Sequence, residues 1–259
     1  AHTVTFKTTS GSGVTWAAAD KGTKMVYSDG TNVVDTAFTD LSSDFSPQLS
    51  ADLDSNGKNI IIDTATGIID ENSNEQLKFV TTGSAVNEFQ LTNAATGNAP
   101  ALAVTGGDTN IDMNLTPKGV GRATFNGQGK IQSVAEKVTT AATAATGTIN
   151  YDVLTQAVLN FTSDAAANYT LNIRGDGSNS LDSIMDTGES ITIAHIVKQG
   201  STPYYNNAVT IDGSSITPEW QGGSAPSSGN ANSLDVYSYT IIKTGSATFT
   251  ALASQTQFA

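Results

Sequence analysis

Hydrophobic residues recur along this chain mostly at every second position. Ile111, Met113 and Leu115 alternate with polar residues, and the segment VYSYTI (236–241) shows the same alternation. Runs of four to eight such residues, bounded by glycine, asparagine and proline, are typical of β-strands with one buried face. Helical periodicity is nearly absent from the sequence. The pattern therefore predicts an all-β protein.

Short predicted strands separated by polar turns fill residues 1–132. Their sequences are TVTFKT, TKMVYSDG, KNIIIDT, EQLKFVTT, NEFQLTN, PALAVTG, TNIDMNLTP and GRATFNG. This region has little aromatic or branched apolar material for a core of its own. A slender β structure of this kind is usually completed by partner chains. We therefore predict that the protein self-associates and that its isolated monomer is unstable.

Residues 133–147, SVAEKVTTAATAATG, divide the chain. Their alanines favour a helix and their threonines oppose one, so the segment is interpreted as a linker or a short helix. The strands predicted in residues 148–259 are longer and more apolar, and six of the seven tyrosines lie there. These features predict a C-terminal β-sandwich or jelly-roll-like domain.

Composition and charge exclude several classes of function. Only 14% of the residues are charged, and the formal net charge is −12. The sequence has no basic stripe to neutralise phosphates, which argues against nucleic-acid binding. The absence of cysteine excludes disulfides, thiol catalysis and cysteine-ligated metals. No run of about 18 apolar residues occurs, so membrane insertion is not expected.

Several segments resemble known proteins. The strings KMVYSDGTNVVD (24–35), FSPQLSADLDSNGKNI (45–60) and LTNAATGNAPALAVTGGDTNIDMNLTPKGVGRATFNG (91–127) resemble shaft modules of phage tail fibres, especially those of phages infecting marine bacteria. Residues 199–259, from QGSTPYYNNAV to SQTQFA, resemble the C-terminal domain found at the ends of many such fibres. Together these segments touch most of the chain.

The resemblance implies a virion structural protein, exposed on the particle surface and commonly homotrimeric. Residues 1–132 would then form a slender region, trimeric and shaft-like or β-helical, and the C-terminal domain would face the host. Expected partners are further copies of the chain, other virion proteins, and a host-surface glycan or protein. A capsid decoration or head-fibre protein, a bacterial surface-appendage subunit and a polysaccharide-cleaving spike remain alternatives.

One segment matches the spacing of a calcium-binding loop. Asp52, Asp54 and Asn56 occupy the first, third and fifth positions, Gly57 the sixth, and Asp63 the twelfth. The following isoleucines indicate a strand, where a calcium loop of this kind needs a helix. Aspartate, asparagine and glycine are also the residues that tight turns prefer. The sequence favours a turn, and no metal site is predicted.

Two further segments have a possible functional interpretation. The tripeptide Arg174–Asp176 matches an adhesion motif, but three residues are weak support. Four nearby residues offer oxygen ligands for a cation in a loop: Asp176, Ser178, Asn179 and Asp182. A solvated loop is the favoured interpretation of both.

The two histidines, His2 and His195, cannot form a metal site by themselves. His195 alternates with Ile191 and Ile193 on one face of a predicted strand. This placement predicts a partly buried structural histidine with a hydrogen-bond partner.

Enzymatic motifs are absent from the sequence. GGSAP (222–226) has proline where a nucleophile elbow needs its second glycine, and GVGRAT and GQGKIQ lack the third glycine of a dinucleotide-binding loop. A pair of catalytic carboxylates depends on the fold and stays open. We expect no catalytic residues and no cofactor.

The aromatic residues of the second half are the candidate receptor contacts. Tyr204, Tyr205 and Trp220 lie in loop-like sequence, and rings with a polar tip suit glycan or protein recognition. The competing interpretation places Trp220, Tyr237 and Tyr239 in the domain core or between subunits. Tyr204 and Tyr205 follow a proline in a predicted loop, so they are the preferred surface contacts.

Overall fold

The computed structural model describes residues 2–17, 24–36 and 57–259 and divides the chain into two units, Ala1–Ile111 and Asp112–Ala259. The prediction of an all-β protein is confirmed. Within the described residues the helical elements are a single four-residue helix, α1 (Leu181–Ile184), and one 3₁₀ turn (Gln221–Gly223).

Four antiparallel β-hairpins make up the described part of the N-terminal unit. Their strands are β1 (Val4–Lys7) and β2 (Gly13–Trp16), β3 (Val26–Ser28) and β4 (Val33–Asp35), β5 (Thr66–Ile69) and β6 (Glu75–Phe79), and β7 (Asn87–Thr92) and β8 (Ala101–Gly106). Each hairpin is a separate two-stranded sheet.

The first two hairpins are joined by hydrogen bonds. The Val33 amide donates to the Ser12 carbonyl at 3.0 Å, and the Ser12 amide donates to Asn32 Oδ1 at 2.9 Å. A side chain at Gly11 would lie 1.8 Å from the Thr31 carbonyl oxygen, so this position requires glycine. Val14 and Val33 are the two buried apolar residues of the described N-terminal unit.

Ten strands build the C-terminal unit. They are β9 (Val138–Ala141), β10 (Gly147–Asp152), β11 (Val158–Phe161), β12 (Tyr169–Arg174), β13 (Ser190–Lys198), β14 (Asn206–Ile211), β15 (Ser214–Ile216), β16 (Glu219–Trp220), β17 (Leu234–Gly245) and β18 (Thr248–Phe258). They form a four-stranded sheet in the order β10-β12-β14-β15 and a six-stranded sheet in the order β16-β18-β17-β13-β11-β9.

The chain winds between these two sheets. From β9 to β14 successive strands alternate between the six-stranded and the four-stranded sheet, and neighbours within each sheet are parallel. The long hairpin β17–β18 then extends the six-stranded sheet in antiparallel pairing. The expected pair of packed sheets is present, but a jelly roll is antiparallel and this winding is not.

The core lies between the two sheets. Alternate residues of β12, β13 and β17 are buried, as period-two patterning requires. The largest fully buried side chains are tyrosines: Tyr151, Tyr169, Tyr237 and Tyr239. A buried hydroxyl group is costly without a hydrogen bond, so the hydroxyl groups of these tyrosines need partners.

Polar side chains stack across the parallel strands of the four-stranded sheet. Asn172 Nδ2 donates to Asn150 Oδ1 at 2.8 Å, and Thr210 Oγ1 donates to Asn172 Oδ1 at 2.8 Å. At the next outward position Arg174 Nε donates to Asp152 at 2.6 Å. These contacts fix the parallel register on the outer face, while apolar residues fix it inside.

Several expected elements differ in the structure. The segments 58–64, 109–117 and 121–127 were predicted as strands but form none, since no described strand pairs with them. Residues 133–147, interpreted as a linker or short helix, contain strand β9. Residues 149–163, predicted as one strand, are split by a turn into β10 and β11. Whether each segment forms a strand depends on hydrogen bonding to a neighbouring strand, which the hydrophobic pattern does not reveal.

Candidate functional site

The three aromatic candidates, Tyr204, Tyr205 and Trp220, are half-buried and pack against the core of the C-terminal unit. Tyr204 and Tyr205 lie in the predicted loop, between β13 and β14. Their amides donate to Gln199 Oε1 at 2.9 Å and to Asn168 Oδ1 at 3.1 Å. The backbone of this loop is therefore held by buried or neighbouring amide side chains.

Trp220 lies in a strand rather than in a loop. Its strand, β16, pairs in parallel with Leu252 and Ala253 of β18. The indole meets the ring of Tyr239 edge-on, with 6.0 Å between ring centroids and 71° between planes. One part of the indole thus packs against the core, as the competing interpretation proposed, while the rest stays accessible.

Two shallow clefts meet at Trp220. One, of about 410 Å³, is lined by polar residues (Glu219, Gln221, Ser238, Thr240 and Ser254) together with Leu252 and Ala253. The other, of about 260 Å³, lies on the side of Asn207, Ser215 and Thr217. Hydroxyl and amide groups beside a flat ring suit an uncharged polar ligand. Neither cleft is lined by Tyr204 or Tyr205, so the structure does not unite the three candidates in one cleft.

Tyr237 and Tyr239 are core residues. The Tyr239 hydroxyl donates to Asn206 Oδ1 at 2.6 Å, and the Tyr237 hydroxyl accepts from the Asn206 amide at 3.2 Å and from Gln255 Nε2 at 3.1 Å. Burial raises the pKa of both phenols far above the ordinary value. These hydroxyls therefore bind the two sheets together and are unavailable to a receptor.

His195 is fully buried among aromatic rings. The rings of Phe161 and Tyr169 meet it edge-on at 5.5 Å, and Tyr237 lies 6.2 Å away. The prediction of its strand face is confirmed, but neither ring nitrogen has a hydrogen-bond partner of good geometry within the described residues. Burial lowers the pKa of His195 to about 4, which the nearby Leu159 backbone opposes only in part. The imidazole is therefore neutral near pH 7.

A group of buried polar atoms lies beneath the Tyr204 loop. Tyr169 Oη, Gln199 Nε2 and Asp235 Oδ1 are buried and make no hydrogen bond of good geometry to the described residues. The other oxygen of Asp235 accepts from the Asn230 amide at 3.1 Å. Burial raises the pKa of Asp235, while nearby amide groups of Asn230, Gln199 and Gln255 oppose the rise.

The loop cation site and the adhesion motif are not assembled. Asp176 Oδ1 accepts from the amides of Ser178 and Asn179 at 2.7 and 2.8 Å, and these bonds lower the pKa of Asp176. Asp182 instead pairs with Lys243 at 2.7 Å, and Arg174 pairs with Asp152. The Asp176 carboxylate therefore stabilises its own turn, and the Asp182 and Asp152 carboxylates form salt bridges.

The calcium-like segment falls largely outside the described residues, since Asp52, Asp54 and Asn56 precede Gly57. Among the residues that are described, no group of three or more His, Asp or Glu side chains could hold a metal ion. In the same part of the chain no helix is long and apolar enough to span a membrane.

Two hairpins of the N-terminal unit, β5–β6 and β7–β8, each expose an apolar face. In β7–β8 this face carries Phe89 and Leu91, paired with Val104 and Leu102, while Gln90 lies on the opposite face. Phe89 is 59% exposed and Leu91 82%. In β5–β6 the equivalent face carries Ile68, paired with Leu77, and Phe79. We call these surfaces the hairpin faces.

Comparison with known proteins identifies no relative: no family model, curated protein or solved structure matches this chain.

Proposed function

We propose that this chain is a self-assembling structural protein of a virion, a tail fibre that contributes to host attachment through its C-terminal unit. The observation that carries the proposal is the set of hairpin faces in the N-terminal unit. Two-stranded hairpins are marginally stable in water, and they need a further layer on the apolar face. In the described residues no such layer is present.

Further copies of the same chain are the simplest cover for the hairpin faces. Large exposed apolar patches mark interfaces, and symmetric homo-oligomers are the common way in which a soluble protein covers them. The contact would be apolar rather than ionic because each copy carries a net charge of −12. The number three comes from the resemblance to tail fibres, in which trimers are common.

The C-terminal unit supplies the attachment surface in this proposal. Its core is closed by its own two sheets, and Trp220 lies between two clefts with hydroxyl and amide linings. Such a surface suits an uncharged glycan or a protein loop. Three copies would convert a weak contact into high avidity without any new interaction.

The experiment that tests self-assembly is the solution mass of the full chain, measured by light scattering. We expect a homotrimer of about 80 kDa, three times the 26.7 kDa of the chain. Phe89→Ser with Leu91→Ser should lower the mass or leave the N-terminal unit open to protease. Glu88→Ser with Gln90→Ser changes the polar face of the same hairpin and should leave the trimer intact.

A folded monomer in the wild type, or equal behaviour of the two double variants, would overturn self-assembly through the hairpin faces. Adsorption of the labelled protein to host cells tests attachment separately. Adsorption that Trp220→Ala removes supports the fibre role. A stable trimer that binds capsids but not cells would instead assign the chain to capsid decoration.

A further inference from the structure

A third cleft of the C-terminal unit lies away from Trp220. Its volume is about 490 Å³, and it lies between the turn after β10, the end of α1 and the start of β13. Its walls are mostly apolar. The apolar lining includes Val153, Leu154, Ala157, Ile184, Met185 and Ile191. The volume falls within the range of small-molecule sites, about 300–1,000 Å³.

One buried amide supplies a free polar group in this cleft. Gln156 is 7% exposed and lines the cleft. Its Oε1 accepts from the hydroxyl of Thr139 at 3.0 Å, and it also contacts the hydroxyl of Thr155, which donates to the Asp152 carbonyl at 2.9 Å. Its Nε2 makes no hydrogen bond to the described residues. The Gln156 amide group is therefore fixed through its oxygen and offers its N–H donors to a ligand.

The rim of the cleft is charged, with an excess of negative charge. Arg122 Nη1 donates to both carboxylate oxygens of Glu189 at 2.7 and 2.6 Å, and Nη2 donates to Asp186 at 2.8 Å. Two carboxylates thus share one guanidinium. These contacts also fix the segment that carries Val120, which forms one side of the cleft.

We propose that this cleft binds a small uncharged molecule that combines an aromatic or alicyclic ring with a hydrogen-bond acceptor. The ring lies against the apolar walls, and the acceptor takes a hydrogen bond from Gln156 Nε2. Anionic molecules bind more weakly because Asp186 and Glu189 outnumber Arg122 at the rim. The inference is independent of the proposed virion role, because it concerns a cleft formed within one C-terminal unit.

The experiment is a saturation-transfer NMR titration of the full chain with three probes. Acetophenone has a ring and one acceptor, benzoate is its anionic counterpart, and benzene lacks the acceptor. We expect saturable binding of acetophenone with a Kd of about 1 mM, which is typical of a ligand of this size. Benzoate should bind at least about tenfold more weakly.

Two variants locate the binding. Gln156→Glu keeps the oxygen that accepts from Thr139 but removes the donor, so acetophenone binding should weaken by at least about fivefold while benzene binding changes little. Ala157→Leu should reduce binding of both probes by filling the cleft. Gln221→Glu makes the same chemical change at a remote position and serves as the control for charge.

Failure of acetophenone to saturate would overturn the proposal, and so would equal binding by wild type and Gln156→Glu. Benzoate binding as tight as acetophenone binding would contradict the assigned role of the rim. Near-ultraviolet circular dichroism of the buried tyrosines verifies that each variant is folded. The oligomeric state plays no part in these outcomes, so failure here leaves the self-assembly proposal untouched.

Discussion

Acidification should destabilise the C-terminal unit through His195. The imidazole is fully buried, and burial lowers its pKa from 6.5 to about 4. Because the folded pKa lies below the unfolded one, the neutral histidine contributes stability above pH 6.5, and this contribution is lost as the pH falls towards 4. The difference between the two pKa values lowers the free energy of unfolding by about 3 kcal/mol at pH 4 and by about 1 kcal/mol at pH 5.5.

His195→Phe isolates this contribution. Phenylalanine retains the ring contacts with Phe161, Tyr169 and Tyr237, and it removes two buried nitrogens that have no hydrogen-bond partner of good geometry among the described residues. We expect the variant to lose about 3 kcal/mol less than the wild type between pH 7 and pH 4. Asp235, whose raised pKa acts in the opposite direction, is present in both proteins and cancels in the comparison.

Urea denaturation at pH 7, 5.5 and 4 measures the effect. Trp220 reports unfolding of the sandwich because it packs against Tyr239, and a Trp16→Phe background removes the only other tryptophan. Protein concentration and ionic strength are held constant, since self-association would otherwise contribute. An equal loss of stability in both proteins over this pH range would refute the argument. His195→Met is a second variant if phenylalanine does not fit.

Two further substitutions test the packing of the C-terminal unit. Lys243→Met should lower the free energy of unfolding by about 3 kcal/mol, because the buried ammonium bonds to the carbonyl of Met185 at 2.9 Å and pairs with Asp182. Lys198→Met is the control, since Lys198 forms an exposed pair with Asp164. It should change the free energy of unfolding by less than about 0.5 kcal/mol in the same denaturation assay. Gly229→Ala should cost about 1–3 kcal/mol because the added carbon would lie 2.3 Å from the Tyr204 carbonyl oxygen, whereas Gly177→Ala meets only an atom of Arg174 at 3.9 Å. Equal melting temperatures within either pair would contradict the corresponding contact.

The strands of the C-terminal unit were predictable where patterning alone decides them. β12 and β13 alternate buried and exposed residues as their sequences indicate, and His195 lies on the expected face. β9 was not predictable from its own sequence. The segment Val138–Ala141 contains two threonines and an alanine, and it becomes a strand because β11 offers it an edge. The isoleucines of 58–64 have no such neighbour among the described strands.

The candidate site was predictable only in part, for a related reason. Tyr204 and Tyr205 follow a proline and lie in the expected loop, since proline cannot continue a paired strand. Trp220 pairs with β18, a strand more than thirty residues later in the chain, so no local pattern around it indicates a strand. Gln156 was missed because a single glutamine between Thr155 and Ala157 has no distinctive signal before its neighbours in space are known.

The parallel winding left a trace in the sequence that the strand pattern does not show. Thr148 lies beside Thr170 and Asn150 beside Asn172, so equivalent residues of β10 and β12 are 22 positions apart. Alternation has the same period in parallel and antiparallel strands, and it therefore cannot distinguish a winding from a jelly roll. The next coil does not repeat this match, because Asn172 of β12 pairs with Thr210 of β14, 38 positions later, so the winding has no constant sequence period. The winding begins with β9 and β10, which are edge strands of the six-stranded and the four-stranded sheet. Neither has a further described strand on its outer side.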